Sequence, residues 1–241
     1  MITKNQIKYI RGLSLKKNRM KNQCFIVEGE KSLSELLGSS FEVVELFALK
    51  DWINENKEVF EKAQAVSSIE LERISNLKSP NKVLAVVKMR KQETIQKKLA
   101  VTLVLDDIND PGNLGTIIRM CDWFGVKQIV CSENTVDIYN PKVVQATMGS
   151  LFRVNVLYVN LVKYLNKVNT PIYGAYIQGE NVKDTNSDRN VHLVMGNEAN
   201  GISSEVNKFI TDKVAIKNVG GTTESLNVAV AASILLHEFC N

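Results

Sequence analysis

Three short segments of this 241-residue chain place Gly, Asn and a charged residue where an apolar run gives way to a polar loop. Near the C-terminus, Ile216-Lys-Asn-Val-Gly-Gly-Thr-Thr-Glu-Ser-Leu-Asn-Val228 empties a glycine loop into an apolar run that reaches Phe239. Ser225 and Asn227 stand where a helix starts, and there unpaired backbone N–H groups and the helix dipole favour an electron-rich group. These residues can cap the helix, or they can hold a small polar ligand; residue type leaves both open. The second segment, Leu105-Asp-Asp-Ile-Asn-Asp-Pro-Gly-Asn-Leu-Gly-Thr-Ile-Ile-Arg119, runs from an apolar strand through a turn into a helix. Ile117, Ile118, Cys121 and Phe124 mark that helix's buried side and leave Arg119 to point outward. In the third, a strand at Val191 to Met195 meets Gly196-Asn-Glu-Ala-Asn-Gly201, and a new helix begins near Ser203. An amide donates and accepts, a carboxylate accepts, and a guanidinium presents a planar fork suited to phosphate. Neither glycine loop satisfies the dinucleotide fingerprint or the phosphate-loop motif.

In order and spacing, Asn113 through Arg119, Gly196 through Gly201, and Glu224-Ser-Leu-Asn-Val228 resemble the motifs of the SpoU (TrmH-like) family of RNA ribose 2′-O-methyltransferases, part of the SPOUT superfamily. The likeness runs from about residue 100 to the C-terminus. It extends more loosely to Phe25-Ile-Val-Glu-Gly-Glu-Lys31, which looks like the family's substrate-binding domain. The resemblance implies S-adenosyl-L-methionine as cofactor, gripped by the loops of a C-terminal trefoil knot, with Gly196, Ile216 and Leu226 as contacts. It marks Arg119 as catalytic and Asn113, Glu198, Ser225 and Asn227 as the rest of the active centre. A guanidinium stays protonated in neutral water, so Arg119 reads first as a phosphate clamp that orients the ribose and second as a base. Asn113 fixes its turn or contacts RNA. Glu198 orders its loop, pairs with Arg119 or touches the ribose, with loop ordering the leading reading. Ser225 and Asn227 orient substrate and support the centre. One departure stands out: Lys217-Asn218 follows Ile216 where relatives commonly carry Pro-Met.

The resemblance further implies RNA as partner, ribosomal RNA first and transfer RNA as the alternative, and a homodimer through the knotted domain. A non-catalytic RNA-binding or ribosome-assembly factor is the reading from a different class; intact Arg119, Glu198, Ser225 and Asn227 speak against it. The C-terminal helix, from about Asn227 to Phe239, is apolar around more of its circumference than one core-facing stripe requires, which suits either burial or a dimer interface.

Alternating strand and helix patterns organise these residues into an α/β protein. Residues 1–95 form a small N-terminal α/β unit, expected to bind RNA, and residues 96–241 carry a mostly parallel sheet. Strands are expected at Phe25–Val27, Val43–Leu49, Val83–Val87, Val101–Leu105, Gln128–Cys131, Arg153–Leu157, Ile172–Ala175, Val191–Met195 and Lys213–Ile216. Helical patterns cover Ser32–Leu37, Trp52–Ala63, Ile69–Asn76, Pro141–Met148 and Leu161–Lys167, and a charged linker covers Lys88–Lys98. Charge divides unevenly: 19 basic against 12 acidic residues in 1–100, and 11 against 14 thereafter. The first 27 residues carry seven basic side chains and no acid. This makes a basic arm for a polyanion, with Lys16, Lys17, Arg19 and Lys21 as its RNA contacts; the bland alternative is a solvated extension. Cys24, Cys121, Cys131, Cys240, His192 and His237 lack metal-ligand spacing, so no metal is expected. With no apolar stretch of membrane-spanning length and no secretory signal pattern, a cytoplasmic location is expected.

Overall fold

The computed structural model describes residues 1–56, 63–96, 99–185 and 190–240. In chain order the first half comprises α1 (Lys4–Gly12), α2 (Lys16–Asn22), β1 (Cys24–Glu28), α3 (Glu30–Leu37), β2 (Val43–Leu49), α4 (Lys50–Glu55), β3 (Gln64–Val66), α5 (Ser68–Ile74) and β4 (Val83–Lys88). There follow β5 (Val101–Leu105), α6 (Pro111–Trp123), β6 (Gln128–Ser132), α7 (Pro141–Thr147), β7 (Asn155–Val159), α8 (Leu161–Leu165), β8 (Ile172–Asn181), β9 (Val191–Met195), α9 (Ser204–Asn207), β10 (Asp212–Ala215) and α10 (Val228–Cys240). Residues 57–62 of the expected helix Trp52–Ala63, and Lys97 and Lys98 of the expected linker, lie outside the described residues.

Two compact units emerge: residues 1–91 with 137–152, and residues 92–136 with 153–241. Residues 137–152 belong to the first unit although they follow much of the second in the chain. The cause is local. Arg19, 2% exposed, bonds Asp137 through Nε at 3.1 Å and Nη2 at 2.6 Å, and Tyr139 packs its ring 4.5 Å from that of Phe25.

The first unit holds a four-stranded sheet in the order β1-β4-β2-β3, antiparallel except for β2 and β3. Ile10, Leu13, Ile26, Phe47, Leu71, Ile74, Leu84 and Val86 build its core. Residues 1–22 are not an extended arm but two helices. Thr3 caps α1 in a reciprocal capping box with Gln6,, and the burial of Ile10 and Leu13 against the sheet secures the helix.

The second unit is a six-stranded, wholly parallel sheet in the order β10-β8-β9-β5-β6-β7. Its central strands β5 and β9 are buried on both faces except for half-buried His192, as sequestration between helices demands,. Strand β7 begins two residues later than expected, after Arg153 has turned to form an ion pair with Asp122 at 2.7 Å. β8 runs past Ala175 to Asn181 because its second half re-pairs with β10 after a register shift: Gly174 faces Lys213, whereas Glu180 faces Val214. No described helix is long and apolar enough to cross a membrane.

Candidate active site

The three motifs lie on loops that follow the carboxyl ends of β5, β9 and β10, all in the second unit. The β5–α6 loop ends at Asp110, whose Oδ1 accepts the Asn113 N–H at 2.8 Å and caps α6, with Pro111 in its first turn,. Leu114, Ile117, Ile118 and Cys121 bury one side of α6. Arg119 therefore lies on the exposed side with Gly112, Thr116 and Trp123, and it makes no hydrogen bond or ion pair with any described residue.

Asn113 is the centre of a hydrogen-bond chain. Its Nδ2 donates to Glu198 Oε1 at 2.8 Å, and its Oδ1 accepts from Asn227 Nδ2 at 3.0 Å. Asn227 is doubly employed, because its Oδ1 also accepts from the N–H groups of Ala229 at 2.9 Å and Val230 at 3.3 Å, capping α10. Capping of α10 and the bond to Asn113 are thus made by opposite ends of one amide. Glu198 holds Asn113 through its carboxylate and forms no ion pair with Arg119 among the described residues.

Asn197 fixes the loop that carries Glu198. Its Oδ1 accepts the N–H groups of Ala199 at 2.9 Å and Asn200 at 3.1 Å, while Nδ2 donates to the Asp107 carbonyl at 2.7 Å. Asp107 adopts a left-handed φ of 62°, and its N–H donates to Ser132 Oγ at 2.9 Å. Buried Asp106 accepts the Ser203 N–H at 2.8 Å. At Gly196 a methyl group would fall 2.2 Å from the Gly201 carbonyl carbon, so only glycine permits that approach. Asp106, Asp107 and Asn197 escaped the sequence reading; only the Asp110-Pro111 cap signal was there to be found.

Ser225 is exposed and unbonded among the described residues, Ile216 is half-buried, and Leu226 is 49% exposed. From Lys217 to Leu226 the backbone N–H and C=O groups, apart from those that Asn218 engages, have no partner among the described residues. A row of unspent backbone donors and acceptors beside aliphatic surface fits a flat heteroaromatic base. Among the described residues no group of His, Cys, Asp and Glu could hold a metal ion.

The remaining titratable candidates are structural. His192 accepts or donates to Tyr164 Oη at 2.8 Å and Thr170 Oγ1 at 2.9 Å, and burial lowers its pKa to about 4. Burial likewise raises the thiols of Cys121 and Cys131.

The basic residues divide. Lys16, Lys17 and Lys21 are exposed on or beside α2. Arg19 is not available to a phosphate: besides Asp137, its Nη1 donates to the carbonyls of Leu13 at 2.9 Å and Ser14 at 2.8 Å. The expectation that it contacts RNA is corrected on that ground, since the buried fork spends four of its N–H groups on Asp137 and the carboxyl end of α1,.

Residues 100–237 match the SpoU rRNA Methylase family, and residues 4–85 match the MRM3-like substrate binding domain. The 23S rRNA (guanosine(2553)-2′-O)-methyltransferase RlmP of Bacillus subtilis is 30% identical over 240 residues, 97% of this chain and 96% of the Bacillus protein. Among solved structures, a Porphyromonas gingivalis protein of the TrmH family is similar with a TM-score of 0.90 at 34% identity, covering 99% of this chain and 98% of that one. The SpoU methyltransferase AviRb of Streptomyces viridochromogenes, solved in complex with AdoMet, gives 0.85 at 25% identity over 99% and 97%.

Proposed function

The chain belongs to the SpoU rRNA methylase family, and we propose that it is an S-adenosylmethionine-dependent RNA ribose 2′-O-methyltransferase acting on ribosomal RNA. The observation that carries this reading is the Asn227–Asn113–Glu198 chain, which draws three motifs far apart in sequence into one constellation. Gly196, Ile216 and Leu226 are the residues that would hold the cofactor, which when bound supplies an electrophilic methyl group. A ribose 2′-oxygen has then to be aligned with it at about 3–3.5 Å, so positioning carries most of the catalytic burden. Arg119, on an exposed helix face and bonded to no other described residue, is the natural clamp for a phosphate next to that ribose,. Asn113 and Glu198 fix the loops around it, and Ser225, whose hydroxyl is unspent, faces the solvent from which RNA arrives.

Residues 1–95 are proposed to present the RNA, with Lys16, Lys17 and Lys21 contacting phosphates, in a cytoplasmic setting where ribosomal RNA is found. A homodimer is the proposed assembly. Val230 on α10 is 48% exposed and Trp123 on α6 is 81% exposed, while these two helices pack on each other. An indole so exposed is a strong anchor for a second subunit. Ribose-methylation mapping of cellular RNA with and without the gene tests the function. One vanished 2′-O-methyl site in ribosomal RNA, restored by the purified enzyme with S-adenosylmethionine, is the expected result. A site lost from transfer RNA would move the substrate, and no change anywhere would favour a non-catalytic binding factor.

A further inference from the structure

The loop between β10 and α10 is held by one side chain. Asn218 Oδ1 accepts the N–H groups of Gly220 at 3.0 Å and Gly221 at 2.9 Å, and its Nδ2 donates to the carbonyls of Gly221 at 3.1 Å and Thr223 at 3.5 Å. From Lys217 to Leu226 these are the only hydrogen bonds among the described residues, and every side chain in that stretch is exposed. Neither helix, sheet nor apolar packing shapes the segment. Gly220 takes a φ of 105°, which lets two successive N–H groups converge on one amide oxygen,.

We propose that Asn218 is a positioning residue for the cofactor: by folding Lys217–Thr223 around its own amide, it pre-forms the backbone against which the adenosyl group of S-adenosylmethionine docks. The inference rests on the methyltransferase reading above. Without Asn218 the loop spreads over many conformations, and the apparent affinity falls by the fraction that remains competent. Several exposed hydrogen bonds lost together make that about tenfold.

The test uses the full chain and S-adenosylmethionine itself, titrated calorimetrically into wild type, Asn218→Ala and Asn218→Asp. Asn218→Ala should raise Kd and KM for S-adenosylmethionine about tenfold, while kcat at saturating cofactor and the thermal midpoint of the cofactor-free protein stay as in wild type. Asn218→Asp keeps the oxygen that gathers Gly220 and Gly221 and should recover a large part of the affinity. A second readout needs no activity. Trypsin should cut after Lys217 faster in cofactor-free Asn218→Ala than in wild type, and added S-adenosylmethionine should slow that cut in both. Wild-type affinity in Asn218→Ala, or a loss in kcat with no change in Kd, would overturn the proposal. A wild-type protein that takes up no S-adenosylmethionine would overturn the methyltransferase reading and this inference with it.

Discussion

Arg119 bonds no other described residue, whereas Asn113 holds both Glu198 and Asn227. The difference separates two kinds of failure on substitution. Arg119→Ala should lower methyl transfer by about 10²–10³-fold with cofactor affinity intact. Arg119→Lys should restore little, because a point charge does not reproduce a planar fork; near-normal turnover in the Lys variant would refute the clamp and the base together. Asn227 allows a finer dissection, since its two ends do different jobs. Asn227→Asp keeps the cap on α10 and should cost little stability, yet it loses the donor to Asn113 and should lose activity. Asn227→Ala should lose activity and also about 1 kcal/mol of stability, measurable by chemical denaturation. His192 shows how burial makes one residue respond to acid. With its folded pKa at about 4, below the ordinary value of about 6.5, the unfolded chain binds the extra proton first. Stability should therefore be level above pH 6.5 and fall by up to about 1.4 kcal/mol per unit between 6.5 and 4. Denaturation midpoints of wild type and His192→Gln across that window would reveal it, the variant losing the slope.

At the scale of elements, strands were legible wherever an apolar run was bounded by turn residues: β2 in the first sheet and β5 and β9 in the parallel one fall where the pattern puts them. The constellation was less legible. Asn113, Glu198 and Asn227 stand out as residue types at loop ends, but their mutual hydrogen bonds join positions 85 and 114 residues apart, and no local pattern encodes such a pairing. β3 has only three residues and offers no periodicity to read. α2 misled in a different way. Its Lys16-Lys-Asn-Arg-Met-Lys21 run reads as one solvated basic cluster, yet Arg19 alone turns inward, because a carboxylate 118 residues later waits for it. Replacing Lys16, Lys17 and Lys21 by Gln should flatten the salt dependence of RNA binding by up to about 0.7–0.9 of log–log slope per lost phosphate contact. Arg19→Ala should act instead on folding, costing up to about 3–5 kcal/mol by leaving Asp137, whose side chain is 11% exposed, without its partner,. An unchanged salt slope in the triple variant would return α2 to a solubilising role, and a stable Arg19→Ala protein would contradict the structural reading.

For the whole molecule, exposed Trp123 and Val230 lead to the expectation that sedimentation at micromolar concentration shows a species near twice 27.0 kDa, and that Trp123→Glu reduces it to the monomer. A wild-type chain that is monomeric and fully active would refute that assembly. The interleaving of the two units, in which residues 137–152 return to complete the first, bears on how the molecule comes into being. A ribosome delivers Arg19 early and Asp137 118 residues afterwards. At about 5–20 residues per second, the guanidinium waits roughly 6–24 s for its counter-charge. Through that interval α1 and α2 meet their sheet with a cation that only the carbonyls of Leu13 and Ser14 engage, so the N-terminal unit should reach its full stability only after residue 137 has emerged. The enzyme's own birth is thus timed from its middle, by the emergence of Asp137 and Tyr139.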